Sequence, residues 1–252
     1  MSGHSKWHNI RLRKGKQDAV RGKLFTKMAR EIIVAAREGG GNPDTNLALK
    51  LAVQKAREVS MPQDNIKRAI QRGTGETGEA TNFEEIIYEG YGPAGVAVMV
   101  SCLTDNRNRT VAELRNIFTK TGGNLGESGC VSWLFEKKGL VQISSDVAEE
   151  DAVILATLDA GAEDVQVDDD SYEVITAPES FEDVKNAIQE AEIEMAMSEI
   201  SMIPQTNVKV DGKEAHQVLR LMEALEEYDD TQKVYSNFDI PDEIMEQEAQ
   251  AA

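Results

Sequence analysis

The sequence predicts an α+β protein, built from an N-terminal three-helix bundle and two ferredoxin-like α+β domains, one inserted in the other. Residues 1–75 carry apolar side chains at helical spacing, and from residue 83 onward the spacing changes to that of strands. Residues 139–203 then follow the order strand, helix, strand, strand, helix, strand. This last order is that of a ferredoxin-like fold.

The 252 residues divide into four predicted regions. We expect a basic helical domain at 1–75, a first α+β domain at 76–136 and 205–241, an inserted α+β domain at 137–204, and a tail at 242–252. The insertion is predicted because a helix and a strand near the end of the chain complete the sheet that begins at residue 83. The segments LDAGAEDVQV and LEEYDDTQKVYS also echo each other, which suggests that the two α+β domains are related.

Three helices are predicted in the basic domain. The first carries apolar residues at steps of three and four: Val20, Leu24, Phe25, Met28, Ile32 and Ala36. The glycines Gly39–Gly41 are expected to end it. The second is expected at residues 46–59. The third begins at SMPQDN, where Ser60 and Gln63 have capping-box spacing, and it ends at Gly73.

Strands and helices are predicted to follow one another from residue 83 onward. The segments FEEIIYEGYG, GVAVMVSCLT and CVSWLFE are expected as strands. TVAELRNIFTKTG is expected as a helix, because Thr110 and Glu113 have capping-box spacing. Later elements are expected at 140–143, 149–160, 164–167, 172–175, 181–191, 199–202, 208–210, 214–227 and 234–237.

Charge is distributed unevenly along the chain. The formal net charge is -18, yet residues 1–75 hold 16 Lys and Arg against 6 Asp and Glu, a net of +10. The remaining residues therefore carry a net of -28. Such asymmetry suggests that the basic domain binds a polyanion while the acidic remainder stays away from it. An ordinary uneven surface is the alternative interpretation.

The first cation-rich motif comprises the N-terminal arm and one face of the first helix. Several cations in an adaptable segment suit phosphate binding, and the ring of Trp7 offers a face on which a base could stack. A helical wheel places further cations on one helix face, opposite the apolar residues. The candidate nucleic-acid-binding residues here are His4, Lys6, Trp7, Arg11, Arg13, Lys14, Lys16, Arg21, Lys23, Lys27, Arg30 and Arg37. A solvated tail is the alternative for the arm.

The second motif is TDNRNRT, residues 104–110, which follows a predicted strand and opens a predicted helix. Arginine offers a bidentate fork to phosphate, and a helix N-terminus adds backbone N–H groups. Asparagine and arginine also read base edges. The candidate contacts are Asn106, Arg107, Asn108 and Arg109. A capped loop with local turn bonds is the alternative interpretation.

Some patterns resemble catalytic or cofactor sites, but the residues around them do not fit such sites. The GxGxxG of residues 73–78 follows a helix instead of a strand. His4 and His8 have metal-ligand spacing without a third ligand nearby, and Cys130 has no histidine in a recognisable catalytic setting. The acidic segments VDDDSYE and EEYDDT lack EF-hand spacing, so solvated turns are expected there. We therefore expect no catalytic residue, no cofactor, no metal and no enzyme.

A cytoplasmic location without a membrane partner is also expected. No apolar run approaches the roughly 18 residues of a membrane helix. The N-terminus has no apolar signal region, since charged and polar residues fill it. The two cysteines, Cys102 and Cys130, are too isolated to indicate a disulfide framework.

Several motifs together resemble the YebC family of bacterial proteins. They are GHSKWHNI, RKGKQDAVRGKLFTKMAREI, AAREGGGNPDTN, MPQDNIKRAIQRGTG, YEGYGPAGVAV, TDNRNRTVAELR, GGNLGESGCVSWLF and SMIP, in this order over most of the chain. The resemblance implies an N-terminal helical domain, two α+β domains and a non-enzymatic role in gene expression. The segment NLALKLAVQKA departs from the Arg-bearing second helix that the family pattern would have.

The resemblance implies two alternative functions. One is DNA binding with transcriptional regulation. The other is a translation role, in which family members act on the ribosome to ease stalling at consecutive prolines. The mitochondrial relative is a translational activator of a cytochrome oxidase subunit.

The sequence thus leads to the hypothesis of a nucleic-acid-binding regulator of gene expression. DNA or ribosomal RNA is the expected partner, with the ribosome as the larger assembly in the second case. NIKRAIQR in the third helix could serve as a DNA recognition helix, whereas a Trp-containing arm suits irregular RNA at least as well. A protein-interaction scaffold that binds through the acidic domains is the alternative outside these classes. No oligomeric state follows from the sequence.

Overall fold

The computed structural model describes residue 7 and residues 17–77, 82–168 and 171–251. Contacts divide these residues into two units. The first unit comprises residues 17–131, 210–234 and 240–251, and the second comprises residues 132–209 and 235–239 together with Trp7. In the sequence, the second unit therefore interrupts the first. The predicted division into three domains, with its four sets of bounds, stays a prediction.

Helices and strands alternate after an all-helical start. The helices are α1 (Gln17–Gly39), α2 (Leu47–Glu58), α3 (Gln63–Gly73), α4 (Arg107–Lys120), α5 (Glu150–Leu158), α6 (Phe181–Glu190), α7 (Gly212–Glu227) and α8 (Asp242–Ala251). The strands are β1 (Glu84–Tyr91), β2 (Ala97–Thr104), β3 (Asn124–Leu125), β4 (Phe135–Ser144), β5 (Ala162–Asp168), β6 (Ser171–Thr176), β7 (Met197–Pro204), β8 (Val208–Lys209), β9 (Thr231–Ser236) and β10 (Phe238–Asp239). The α+β class with an N-terminal helical part is confirmed.

The three N-terminal helices form around a shared core. Ile32 of α1, Leu49 of α2 and Ile66 of α3 are buried in one cluster, which also includes Phe83 and Leu103 from the sheet part of the first unit. The side chain of Asn46 caps α2 by accepting from the Leu49 backbone N–H at 3.0 Å. The helical bundle therefore shares its core with the strands that follow it.

Both predicted capping boxes are wrong. Ser60 lies in the left-handed region with a φ of 61°, and α3 is preceded by Pro62, which makes no side-chain cap bond. Helix α4 begins at Arg107 with Asn106 as its cap, so Thr110 lies inside the helix and is buried. Pro62 takes the cap position of α3, and Asn106 takes that of α4.

The sheet of the second unit has the predicted ferredoxin-like order, β5-β6-β4-β7, with antiparallel neighbours. Val141 of β4 lies opposite Val174 of β6, which lies opposite Val165 of β5. Val141 and Val174 point into the same core as Val184 of α6. The paired valines Val141 and Val174 thus contribute to the core between this sheet and α6.

The sheet of the first unit has a different order, β3-β1-β2-β9. Strands β1 and β2 form an antiparallel pair, and the two residues of β3 pair with the other side of β1. Helix α4 therefore connects β2 to β3, and β1 lies between these two strands, so the three strands and the helix form one split βαβ unit. Strand β9 pairs with the free edge of β2. A ferredoxin-like sheet contains two such interlocked units, so the predicted strand order is found in the second unit only.

The C-terminal segment forms helix α8, although the sequence predicts only a tail there. Met245 is buried, and Glu248 bonds to His216 at 2.6 Å and to Arg220 at 3.1 Å on α7. Helix α8 is therefore attached to the rest of the first unit through the buried Met245 and through the bonds of Glu248 to α7. Among the described residues, no helix combines the length and the apolar character needed to cross a membrane.

Candidate nucleic-acid interface

The predicted arm contributes one described residue, Trp7. Its side chain is only 1% exposed, so the prediction of an open ring face on which a base stacks is not met at this position. A buried tryptophan adds apolar contact area to the fold instead. The other arm candidates lie outside the described residues: His4, Lys6, Arg11, Arg13, Lys14 and Lys16. The backbone of Arg21 belongs to α1, and its side chain is outside the description as well.

The cationic face of α1 contacts the rest of its own unit. Lys23 lies 3.6 Å from the carboxylate of Glu227, and both side chains are about half-exposed. The Nζ of Lys27 donates to the backbone carbonyl of Glu226 at 2.8 Å. The face that the helical wheel assigns to a polyanion thus packs against the end of α7.

Arg30 is a largely buried cation of this face. Its side chain is 15% exposed, and its Nη1 donates to a carboxylate oxygen of Asp230 at 2.9 Å. The same nitrogen donates to the backbone carbonyl of Asp229. The guanidinium also lies 5.5 Å from the centre of the Phe83 ring, within the range of a cation–π contact. Arg30 is therefore used inside the fold.

Arg37 lies near the end of α1 and anchors the two residues that precede β1. Its Nη2 donates to the Phe83 carbonyl at 3.0 Å, and its Nη1 lies 3.5 Å from the side-chain oxygen of Asn82. About a third of the side chain stays exposed. Arg37 thus combines an internal contact with an open edge.

The carboxylate of Asp230 joins both predicted motifs. Besides Arg30, it accepts from Arg109 Nη2 at 2.9 Å, from Thr110 Oγ1 at 2.8 Å and from the Tyr228 hydroxyl at 2.8 Å. Asp230 is buried. A buried carboxylate needs such cations and donors, because an unpaired charge in the interior is very unfavourable. This cluster fixes the N-terminus of α4 to α1.

The four candidates in TDNRNRT have three different environments. Asn106 and Asn108 are exposed, and Asn106 accepts from the backbone N–H of Arg109 at 3.1 Å as the cap of α4. Arg107 forms an exposed ion pair with Glu84 at 2.9 Å. Arg109 is half-exposed but bonds to Asp230 and, at 2.8 Å, to Asp105. The capped-loop interpretation therefore describes much of this motif.

The pKa of Asp230 keeps its carboxyl ionised. Burial alone would raise this pKa, but hydrogen bonds from Arg109, Thr110 and Tyr228, together with the charge of Arg30, outweigh burial and lower it. The hydrogen bond to Asp230 raises the pKa of Arg109. A permanently charged cluster of this kind stabilises structure and is poorly suited to proton transfer.

Two further polar features lie outside the predicted sites. Glu89 of β1 is buried and accepts from the backbone N–H groups of Gly129 and Val131 at 2.7 and 2.8 Å, so it organises the glycine-rich segment before β4. Burial raises the pKa of Cys130, which argues against a reactive thiolate. No group of three or more metal-ligating side chains occurs among the described residues.

Helix α3 presents exposed cations on the side that faces away from its core. Ile66 and Ala69 are buried, whereas Lys67, Arg68 and Arg72 are exposed. Gln71 is exposed beside them. At 100° per residue, Arg68 and Gln71 lie on the side opposite Ile66 and Ala69, and Arg72 lies at the edge of that side, one turn after Arg68. This side of α3, comprising Lys67, Arg68, Gln71 and Arg72, is called the α3 face below.

A cleft of about 390 Å³ adjoins the α3 face. Arg37 from α1 and Arg72 from α3 both line it, together with Thr74 and Asn82. Two guanidinium groups, a hydroxyl and an amide are suitable partners for phosphate oxygens. The cleft therefore extends the cationic surface from α3 to the open edge of Arg37.

Comparisons with known proteins identify the family. The TACO1/YebC N-terminal domain matches residues 5–76, and the TACO1/YebC second and third domain matches residues 83–238. The chain belongs to the TACO1/YebC family. The resemblance inferred from the sequence motifs is thereby confirmed.

Individual TACO1/YebC relatives resemble the chain over nearly its full length. A "Probable transcriptional regulatory protein" of Dictyoglomus turgidum is 56% identical over 247 residues, which cover 98% of this chain and 99% of that protein. One of the same name from Pelotomaculum thermopropionicum is 55% identical over 96% of this chain and 100% of that protein. The crystal structure of a conserved hypothetical protein from Aquifex aeolicus is 48% identical, with a TM-score of 0.79, and the match covers 91% of this chain and 94% of that one.

Proposed function

We propose that the chain is a non-enzymatic, DNA-binding regulator of gene expression that contacts its target through the basic helical part. The observation that carries this proposal is the α3 face, on which three cations and one glutamine stand exposed beside one another. Arginine, lysine and glutamine are the side chains that most often bond to guanine and adenine in the major groove. The names of the relatives, which call them probable transcriptional regulatory proteins, support the same function.

The connection before α3 supports a DNA target. Helix α2 ends at Glu58 and α3 begins at Gln63, so four residues join the two helices. A connection of three to four residues joins the helices of helix-turn-helix motifs, whose second helix enters the major groove. Ser60 takes the left-handed conformation that a turn of this length often requires.

Most of the other candidate residues are kept in the proposed interface, and three are left out. Arg37 contributes at the cleft, and the exposed Asn106, Arg107 and Asn108 form a second contact. Lys23 is exposed enough to take part through its solvent-facing side. The candidates whose side chains lie outside the description stay in the proposed interface: His4, Lys6, Arg11, Arg13, Lys14, Lys16 and Arg21. Lys27, Arg30 and Arg109 are left out, because their charged groups are bonded inside the fold.

The test compares two double variants that remove the same charge. Arg68→Ala with Arg72→Ala changes the α3 face, and Lys185→Ala with Lys209→Ala is the matched control in the second unit. The affinity of the full chain for duplex DNA is measured by fluorescence anisotropy over a series of salt concentrations. If two phosphate contacts are lost, the slope of log K against log salt falls by about 1.8 in the α3 variant and stays unchanged in the control. Loss of base contacts would instead lower the affinity of the α3 variant without changing the slope. Equal affinities and equal slopes in both variants would contradict the proposal.

Ribosomal RNA is the other target to be distinguished, as expected for a translation factor on the ribosome. Nucleic acid bound to the full chain at native salt is recovered and sequenced, with and without residues 1–16. Enrichment of promoter DNA supports the transcriptional role. Enrichment of ribosomal RNA would replace it with the translational one, and enrichment of neither would leave the scaffold alternative.

A further inference from the structure

The outward side of helix α5 in the second unit is apolar. Leu155 is 76% exposed and Leu158 is 64% exposed. Both lie on the side of the helix opposite to Val153 and Thr157, which are fully buried. Helix α5 therefore carries apolar side chains on its inner and its outer side. A helix of this kind is normally covered on both sides.

The neighbouring helix α6 shows that this is not a general property of the second unit. Val184 and Ile188 of α6 are buried in the same core cluster as Val153. Its outer side exposes Glu182, Asp183 and other polar residues. Helix α6 thus has the polar outer side expected for a surface helix, and α5 does not.

The surroundings of the exposed leucines are strongly acidic. Residues 132–209 contain 19 Asp and Glu but only 4 Lys and no Arg. Exposed carboxylates stand at both ends of α5: Asp146, Glu149, Glu150, Asp151 and Asp159. None of these five forms an ion pair with another described residue. The two leucines therefore lie within a negative surface whose charges face solvent.

We propose that the α5 face, comprising Leu155, Leu158 and the five carboxylates at the helix ends, docks a protein segment that presents apolar side chains flanked by Lys and Arg. The apolar residues of such a segment would bury the leucines, and its cations would meet the carboxylates. Nucleic acid and anionic membrane surfaces carry the wrong sign of charge for this face. A symmetric second copy would bring the same carboxylates against one another. The inference is independent of DNA binding, which uses the other unit.

The experiment uses the full chain and three fluorescently labelled 18-residue helical peptides. One has leucines on one side and lysines around them, the second has glutamates in place of the lysines, and the third has serines in place of the leucines. We expect the Leu/Lys peptide to bind at 150 mM salt. The affinities of the other two should be at least about tenfold lower, because each lacks one half of the required chemistry.

Two matched double variants locate the site. Leu155→Ser with Leu158→Ser should weaken binding of the Leu/Lys peptide by at least about tenfold. The control is Leu47→Ser with Leu51→Ser on α2, two leucines that are 70% and 51% exposed in the first unit, and it should change the affinity less than twofold. Thermal unfolding of both variants verifies that they fold. Equal effects of the two variants, or equal binding of the Ser/Lys peptide, would overturn the proposal.

Two further measurements exclude other occupants of the α5 face. Flotation with vesicles of phosphatidylcholine and phosphatidylglycerol tests a lipid surface. Sedimentation of the wild-type chain and the Leu155→Ser, Leu158→Ser variant tests a second copy. Vesicle binding or dimerisation that is lost in this variant would replace the basic protein segment with that occupant. If the variant loses neither vesicle binding nor dimerisation, this result supports the proposal together with the peptide result.

Discussion

Arg30 donates to the buried carboxylate of Asp230 at 2.9 Å, although 200 residues separate the two along the chain. The same carboxylate accepts from Arg109 at 2.9 Å. One anion therefore holds the first helix of the bundle and the beginning of α4. The loss of this anion would leave Arg30 without its carboxylate partner, whereas Arg109 would keep Asp105.

Asp230→Asn is expected to lower the free energy of unfolding by about 3 kcal/mol. The reason is that removing one partner from a buried ion pair leaves the other charge uncompensated. Urea denaturation followed by circular dichroism measures the change. Asp229→Asn is the control, because Asp229 is exposed and only its backbone carbonyl contacts Arg30. A loss below about 0.5 kcal/mol in Asp230→Asn, the usual range of surface substitutions, would contradict a role in stability.

The contribution of Asp230 is expected to depend on pH in the acid range. Its pKa is lower in the folded protein than in an unfolded chain, so the folded state holds the proton less tightly. The stabilisation is complete above the unfolded pKa of about 3.9 and is lost as pH falls through the folded pKa. The difference in unfolding free energy between wild type and Asp230→Asn should therefore shrink below about pH 4. A difference that stays constant from pH 7 to pH 2 would exclude this origin.

Gly73→Ala is expected to loosen the packing of α3 on α1. A Cβ atom at this position would lie 2.5 Å from the carbonyl oxygen of Ile33 and 2.7 Å from the Cβ of Ala36, so the helices must move apart. A loss of about 1–3 kcal/mol is expected, as for other overpacked sites. Thermal and urea unfolding provide the measurement.

Gly22→Ala is the matched control for this glycine. Gly22 lies inside α1, and an added Cβ would have no atom within 4 Å. Alanine should therefore stabilise the helix by about 0.5–1 kcal/mol through its better helix propensity. The two substitutions thus have opposite expected signs, and the same sign for both would contradict the close contact at Gly73.

Glu89→Gln is expected to release the glycine-rich segment before β4. One carboxylate oxygen that accepts from Gly129 or Val131 becomes an NH₂ group, which cannot accept a hydrogen bond. A buried polar group left without a partner costs about 1–3 kcal/mol. Amide hydrogen exchange at residues 126–131 should accelerate, whereas the exposed Glu85→Gln on the same strand should leave it unchanged. Unchanged exchange in Glu89→Gln would show that the segment is held by other contacts.

The elements of the fold could be predicted largely from local patterns. The buried residues of α1, α2 and α3 recur at helical spacing, and the ferredoxin-like order of β4 to β7 follows from alternating periods. Helix α8 was missed because its acidic sequence gives little apolar periodicity around Met245. The start of α3 does not follow from the residue types, because the left-handed conformation of Ser60 leaves no signal in them. The cap of α4 does leave one, since Asn106 is a residue typical of N-caps.

Which cations face solvent and which bond inside the fold could not be predicted in the same way. A helical wheel shows that Lys27 and Arg30 share a face with Arg37, but it does not show whether that face meets solvent or another part of the chain. Asp230 was interpreted as part of a solvated acidic turn, since its partners Arg30 and Arg109 are far away in sequence. Only its position directly before Thr231, the first residue of β9, distinguishes it from its neighbour Asp229.

The pairing of Arg30 with Asp230 also has a consequence for synthesis of the chain on the ribosome. Residues 17–131 of the first unit reach their partners in residues 210–234 only after the whole intervening unit has emerged. The second unit, apart from its last short segment, is therefore available to fold earlier than the unit that precedes it. A premature stop before residue 230 would leave the basic bundle without the anion that neutralises Arg30, and such a product would be prone to aggregation or degradation.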